Sequence, residues 1–154
     1  ERHGWARFVT MQNHYNLVYR EEEREMIPLC LDQGVGLIPW SPLARGFLAG
    51  GRRRDKTGET TRAGTDAFAH AMYYSDADFN VAERCAAIAA QLGVKPAQLA
   101  LAWLLHKPGV TAPIIGASKA YQIDDAIAAL SISLTPDVLA ELEAPYVPHK
   151  ILGH

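Results

Sequence analysis

The sequence predicts an α/β chain in which short parallel strands alternate with helices, and in which the strands are too few to close a sheet. Three observations carry this. Short apolar runs recur at residues 7–12, 35–40 and 111–116, each of a length that suits a strand buried on both faces. Helical periodicity fills the intervals, so each later strand is reached through a helix, as parallel pairing requires. The chain has 154 residues, whereas a (β/α)8 barrel needs about 250, so roughly three of its eight units fit in this length.

The elements follow in order. Residues 1–6 read as the tail of a helix, which suggests a piece of something longer, and 7–12 as the first strand. Residues 20–25 are densely charged, and Met26, Ile27, Leu29, Cys30 and Leu31 then form an apolar helical face. Pro28 fits that helix only within its first turn, because proline has no N–H to donate. Gly34 stops the helix, and 35–40 follows as the second strand after almost no loop. The stretch from Ser41 to Asp76 is irregular and glycine-bearing, and a connection that long is usually functional or disordered. Residues 77–92 return to helical spacing, with Val81, Cys85, Ile88, Ala89 and Leu92 on one face and Gly93 as the stop. Pro96 opens a helix over 96–106 with Leu99, Trp103 and Leu104 facing one way. Residues 111–116 form the third strand, 121–130 a helix, and Thr135 caps a last helix that has Pro136 at its first position and runs to Leu142.

Composition excludes some classes. Fifteen Lys and Arg against 17 Asp and Glu give a net charge of −2, which argues against a general nucleic-acid binder. No apolar run approaches the roughly 20 residues that span a bilayer, so no membrane partner is expected. Cys30 and Cys85 lie in helix-like stretches without CxxC spacing, which fits a reducing, cytoplasmic setting. The six histidines show no ligand spacing, so no metal is expected. Ser41 lacks the G-x-S-x-G elbow of a hydrolase nucleophile. His14 reads as structural and Tyr15 as core. Arg52, Arg53 and Arg54 read as a solvated loop run.

Chemistry concentrates at the carboxyl ends of the three strands: residues 12–16, 40–46 and 116–119. In parallel α/β folds ligands bind at that edge. Trp40 offers a flat face to a flat ligand, and the loop from Ser41 to Gly46 has backbone N–H groups that could reach phosphate oxygens. Residues 116–119 precede a helix, whose amino-terminal dipole and Lys119 favour an anion. Together they suggest one ligand with an aromatic end and phosphates.

Gln12-x-x-Tyr15-Asn16, the block from Trp40 to Gly46 and Gly116-x-Ser118 resemble, in this order, the second half of the aldo-keto reductases, in the branch near the bacterial and plant reductases and the potassium-channel beta subunits. The resemblance implies that the chain is the C-terminal part of a (β/α)8 TIM barrel, strands six to eight with their helices. It implies a single incomplete domain over 1–154, with the loop 45–76 closing over bound NADP(H). By this resemblance Gln12 holds the nicotinamide carboxamide and Trp40 stacks on the nicotinamide ring. Ser41, Pro42, Leu43 and Arg45 line the pyrophosphate, and Arg62 lies near the adenosine phosphate. Gly116, Ser118, Gln122 and Asp125 serve the 2′-phosphate and adenine, with Asp125 where the family usually has Glu and Ala126 where it has Asn. The family's catalytic Asp, Tyr, Lys and His belong to the first half of the barrel. No catalytic residue is therefore assigned here, and the chain alone is expected to be inactive. The partners implied are the missing N-terminal half and a small carbonyl substrate. Two alternatives stand beside this: a catalytically silent nucleotide-binding or regulatory module, and an open α/β domain that completes its sheet as an oligomer.

Overall fold

The computed structural model describes residues 3–51 and 72–151. Strand β1 (Thr10–Met11) pairs in parallel with β2 (Gly36–Leu37). Parallel bridges from Leu37 to Val110 and from Trp40 to Ile114 lay a third ribbon against the other side of β2. The strand order is therefore the sequence order, and the pairing is parallel as expected.

The ladders are shorter than the apolar runs that predict them, and residues 111–116 form bridges rather than a regular strand. Proline explains part of this. Pro39 and Pro113 have no N–H to donate, so the ladder passes over them. On either side of Pro39 the bonds continue, with Ile38 N–H on Met11 O (2.9 Å) and Trp40 N–H on Asn13 O (2.9 Å). Gly36 is needed for the close approach, because a Cβ there would lie 2.6 Å from Thr111 Oγ1.

The helices follow their local signals. Helix α1 (Met26–Gln33) carries Pro28 in its first turn and ends at Gly34 in the left-handed conformation (φ +67°). Its expected apolar face splits, with Ile27 and Cys30 buried and Leu29 and Leu31 exposed, because five positions so close together cannot share one side at 3.6 residues per turn. Helix α2 (Asp76–Leu92) is capped by Ser75, whose Oγ accepts the Asp78 N–H (3.2 Å) while Asp78 accepts the Ser75 N–H (2.9 Å). Leu92, expected inside, is exposed at the last turn. Helix α3 (Pro96–Leu105) buries Leu99, Trp103 and Leu104 completely. Helix α4 (Ala120–Ala128) tightens into a 3-10 turn at Ala129–Ser131, and α5 (Pro136–Glu143) has Thr135 as its cap. The helix tail expected at the start is absent from residues 3–6, which make a turn and then an irregular segment.

The core lies between β2 and helices α2, α3 and α5, and it includes Tyr15, Phe47, Ile88, Trp103 and Leu142. Both cysteines are free and buried in it. A polar network closes its rim. Arg20 bridges Glu23 (2.7 Å) and Glu143 (3.0 Å), and Lys107 bridges Glu143 (2.7 Å). Tyr15, core as expected, donates its hydroxyl to Glu23 (2.5 Å). The tail after α5 folds back, with His149 Nε2 2.7 Å from Asp78 and the Tyr146 hydroxyl 2.8 Å from Glu21. Among the described residues no single helix is long and apolar enough to cross a membrane.

Candidate functional site

Trp40 is the hinge of the site. It follows β2 and its backbone bridges to His14 on one side and Ile114 on the other, so the carboxyl ends of all three ribbons meet at one residue. The ring is half-buried. One face lies against His14, with centroids 4.1 Å apart and planes 15° apart.

The loop after Trp40 is strained. Ser41 (φ +55°), Ala44 (φ +48°) and Arg45 (φ +55°) are left-handed without being glycine, which costs each of them about 1–2 kcal/mol. Such outliers persist only where surrounding structure dictates them, and they cluster at functional sites. Here Asn16 Nδ2 donates to Ser41 O (3.0 Å), and Ser41 Oγ accepts the Arg45 N–H (3.2 Å). Three N–H groups that could face an anion are thus engaged within the loop, since Ala44 N–H donates to Ser41 O (2.9 Å) and Gly46 N–H to Leu43 O (2.9 Å). No bond among the described residues takes the N–H of Ser41 or Leu43. Pro42 faces inward, buried, while Ser41, Leu43 and Arg45 are half-buried. Gln12, at the end of the first ribbon, is exposed.

Two residues support this edge through contacts with no sequence signal. Tyr73, just before α2, places its hydroxyl 2.6 Å from His14 Nε2 and accepts from Asn16 Nδ2 (3.3 Å). Burial pushes its pKa up to about 12, so it stays a neutral phenol. Asn16 belongs to the Gln12 motif, but its grip on Ser41 spans 25 positions and depends on the fold.

The third cluster is arranged differently from the expectation of an open helix terminus. Gln122 Oε1 accepts the N–H of Ser118 (2.7 Å) and of Lys119 (3.0 Å), so those donors cap α4 from within. Asp125 is held by Lys95 Nζ (2.8 Å) and by Gln98 Nε2 (3.0 Å). Gly116, Ser118 and Lys119 are exposed. Arg62 and most of the loop 45–76 lie outside the described residues, and the start of that loop is a 3-10 turn, Ala44–Ala49. A cleft of about 340 Å³ opens elsewhere, between β1 and α1, lined by Phe8, Met11, Met26, Leu29, Cys30 and Val35, and shares no residue with this site. Among the described residues no three His, Cys, Asp or Glu are grouped to hold a metal.

In α/β folds as a class, ligands bind at the carboxyl edge of the strands, which here holds Trp40, the strained loop and a helix start. A profile described as the Aldo/keto reductase family matches residues 1–146, and the chain belongs to that family, whose fold is a (β/α)8 barrel. It is 46% identical over 151 residues to a versiconal hemiacetal acetate reductase of Aspergillus parasiticus, covering 97% of this chain and 43% of that protein. It is also 46% identical to an aldo-keto reductase of Fusarium vanettenii (98% of this chain, 40% of that protein) and to one of Metarhizium robertsii (100% and 41%). The chain spans less than half the length of the curated relatives it matches.

Proposed function

We propose that this chain is the cofactor-binding, carboxy-terminal part of an NADP(H)-dependent aldo-keto reductase, cytoplasmic, that reduces an aldehyde or ketone to an alcohol in its intact form. The observation that carries this is the junction at Trp40, where three parallel strand ends meet directly before a strained small-residue loop. The family match and the similarity to proteins named as reductases support the same reading.

The residues present fit a dinucleotide at two of its parts. Trp40 would take the nicotinamide, with Gln12 beside it for the carboxamide. The N–H groups of Ser41 and Leu43, which have no partner among the described residues, suit the pyrophosphate together with Arg45. At the adenosine end Ser118 and Lys119 offer an exposed hydroxyl and ammonium, while Gln122 and Asp125 turn to internal partners. The reduced nicotinamide, when bound, supplies the hydride. This chain's part is to fix the ring plane at Trp40, to neutralise phosphate charge and to exclude water. Proton donation falls to residues outside this chain, so the chain alone is inactive. The remaining strands complete the ring at edges where Phe8 (87% exposed) and Val9 (74%) now face solvent.

The test is a fluorescence titration of the full-length protein with NADPH, wild type against Trp40→Phe. Saturable quenching that the substitution removes, with 2′,5′-ADP affinity retained in calorimetry, is the expected result. Identical quenching in both proteins removes the stacking assignment. NADPH-dependent carbonyl reduction by the 154-residue chain alone overturns the division of labour.

A further inference from the structure

We propose that His14 is a positioning residue whose imidazole fixes the plane of the Trp40 indole. This rests on the reading of Trp40 as the nicotinamide platform. His14 is 5% exposed and is sandwiched, with Tyr19 on one face (4.1 Å between centroids, 12° between planes) and Trp40 on the other (4.1 Å, 15°). A strand bridge joins the backbones of His14 and Trp40, so the two side chains leave the sheet side by side.

The ring is also held at its edge. Tyr73 hydroxyl lies 2.6 Å from His14 Nε2, and Asn16 Nδ2 is 3.3 Å from the same nitrogen. The Tyr73 hydroxyl can donate to Nε2 or accept from it, so this edge of the ring is held in either neutral tautomer. Burial keeps the ring neutral, with its pKa lowered to about 3. A neutral flat ring against one indole face removes most of the rotational freedom of a terminal sp³–sp² torsion, and the opposite face is then presented in one plane. An aliphatic side chain would fill the volume without setting that plane.

Binding in the full-length protein tests this with NADPH, with reduced nicotinamide mononucleotide and with 2′,5′-ADP. His14→Leu is expected to weaken NADPH and the mononucleotide roughly five- to tenfold, the scale of one lost aromatic stack, and to leave 2′,5′-ADP unchanged. His14→Phe restores the flat face without the Tyr73 bond and is expected to recover most of the loss. Equal weakening at both ends, or none at the nicotinamide end, overturns the inference. Trp40→Ala separates the two claims: if it leaves mononucleotide binding unchanged, the platform reading itself has failed. Should His14→Leu not fold, the His14 Hε1 proton resonance of the wild type serves instead. It is expected upfield from the two flanking rings, moved by the mononucleotide and not by 2′,5′-ADP. A response to 2′,5′-ADP alone overturns the inference.

Discussion

Trp103 and Trp40 stand in contrasting surroundings. Trp103 is completely buried and donates its indole N–H to Glu143 (2.8 Å). Arg20 and Lys107 lie over its ring at 5.6 and 4.9 Å, and Tyr15 packs beside it at 5.5 Å. Trp40 is half-buried, ordered on one face by His14, and followed at once by left-handed Ser41. Around Trp103 the chain satisfies its own polar groups. Around Trp40 it holds strained backbone and leaves the N–H groups of Ser41 and Leu43 without a partner among the described residues. The first region makes a body that folds, and the second uses that body as an anvil for a geometry the local sequence would not adopt by itself.

The largest effect expected follows from this contrast. Trp103→Ala opens a cavity under two cations and should destabilise by about 3–5 kcal/mol in urea denaturation. Trp40→Ala, at a half-exposed position, should cost about 1–2 kcal/mol. Equal losses would erase the distinction between the two regions.

Titration sharpens it further. His14 at the site has its pKa lowered to about 3 by burial, so between there and its ordinary 6.5 the unfolded chain binds the extra proton. Stability therefore rises with pH across that window, by up to about 1.4 kcal/mol per pH unit. Glu21, Glu23 and Glu143 have lowered pKa values despite burial, held down by hydrogen bonds and nearby cations, so they add to the rise below 4.5. His149 is shifted the other way, upward, by its bond to Asp78. Its contribution is complete below 6.5 and fades as pH climbs through the raised value. Stability should thus peak near pH 6.5, as read from urea midpoints across pH. His14→Phe should flatten the acid limb above pH 4.5, and His149→Asn the alkaline one. An unchanged acid limb in His14→Phe would mean that the imidazole is not buried as a neutral ring.

What was legible in the sequence divides along the same line. Helix ends are local, so Pro28, Gly34, Gly93, Pro96 and Thr135 announced them within a few residues. The Trp40–Gly46 block was equally legible, because its residues are contiguous. Ladder extent was not, since it depends on neighbours across the sheet and on Pro39 and Pro113. Nor were the grip of Asn16 on Ser41 and the contact of Tyr73 with His14, which join positions 25 and 59 apart. The strain at Ser41, Ala44 and Arg45 left no mark either, because none is glycine. At the third cluster the residue types were visible, but the pairing of Asp125 with Lys95, 30 positions away, was not.

A smaller effect probes the rim of the satisfied region. Glu143→Gln keeps the shape but leaves Arg20 and Lys107 with one anion fewer between them. Because the Glu143 side chain is about a quarter exposed, solvent shares the loss, and about 1–2 kcal/mol is expected in denaturant midpoints. Tyr73-dependent geometry at the other tryptophan should not move, so mononucleotide binding in the full-length protein should be retained.

The smallest effects compare left-handed backbone in the two regions directly. Gly93 ends α2 at φ +69°, and a Cβ there would meet nothing within 4 Å. Gly93→Ala therefore reports the conformational penalty alone, about 1 kcal/mol of destabilisation in urea. Ala44 carries the same kind of strain at φ +48° but is fully buried. Ala44→Gly releases the strain, yet it removes a buried methyl worth about 0.8 kcal/mol and frees the unfolded chain. The opposing terms should leave it within about 0.5 kcal/mol of wild type. A clear gain from Ala44→Gly would mean that the loop after Trp40 is more strained than its packing repays. A clear loss would mean that the buried methyl, rather than the backbone, holds the loop in place.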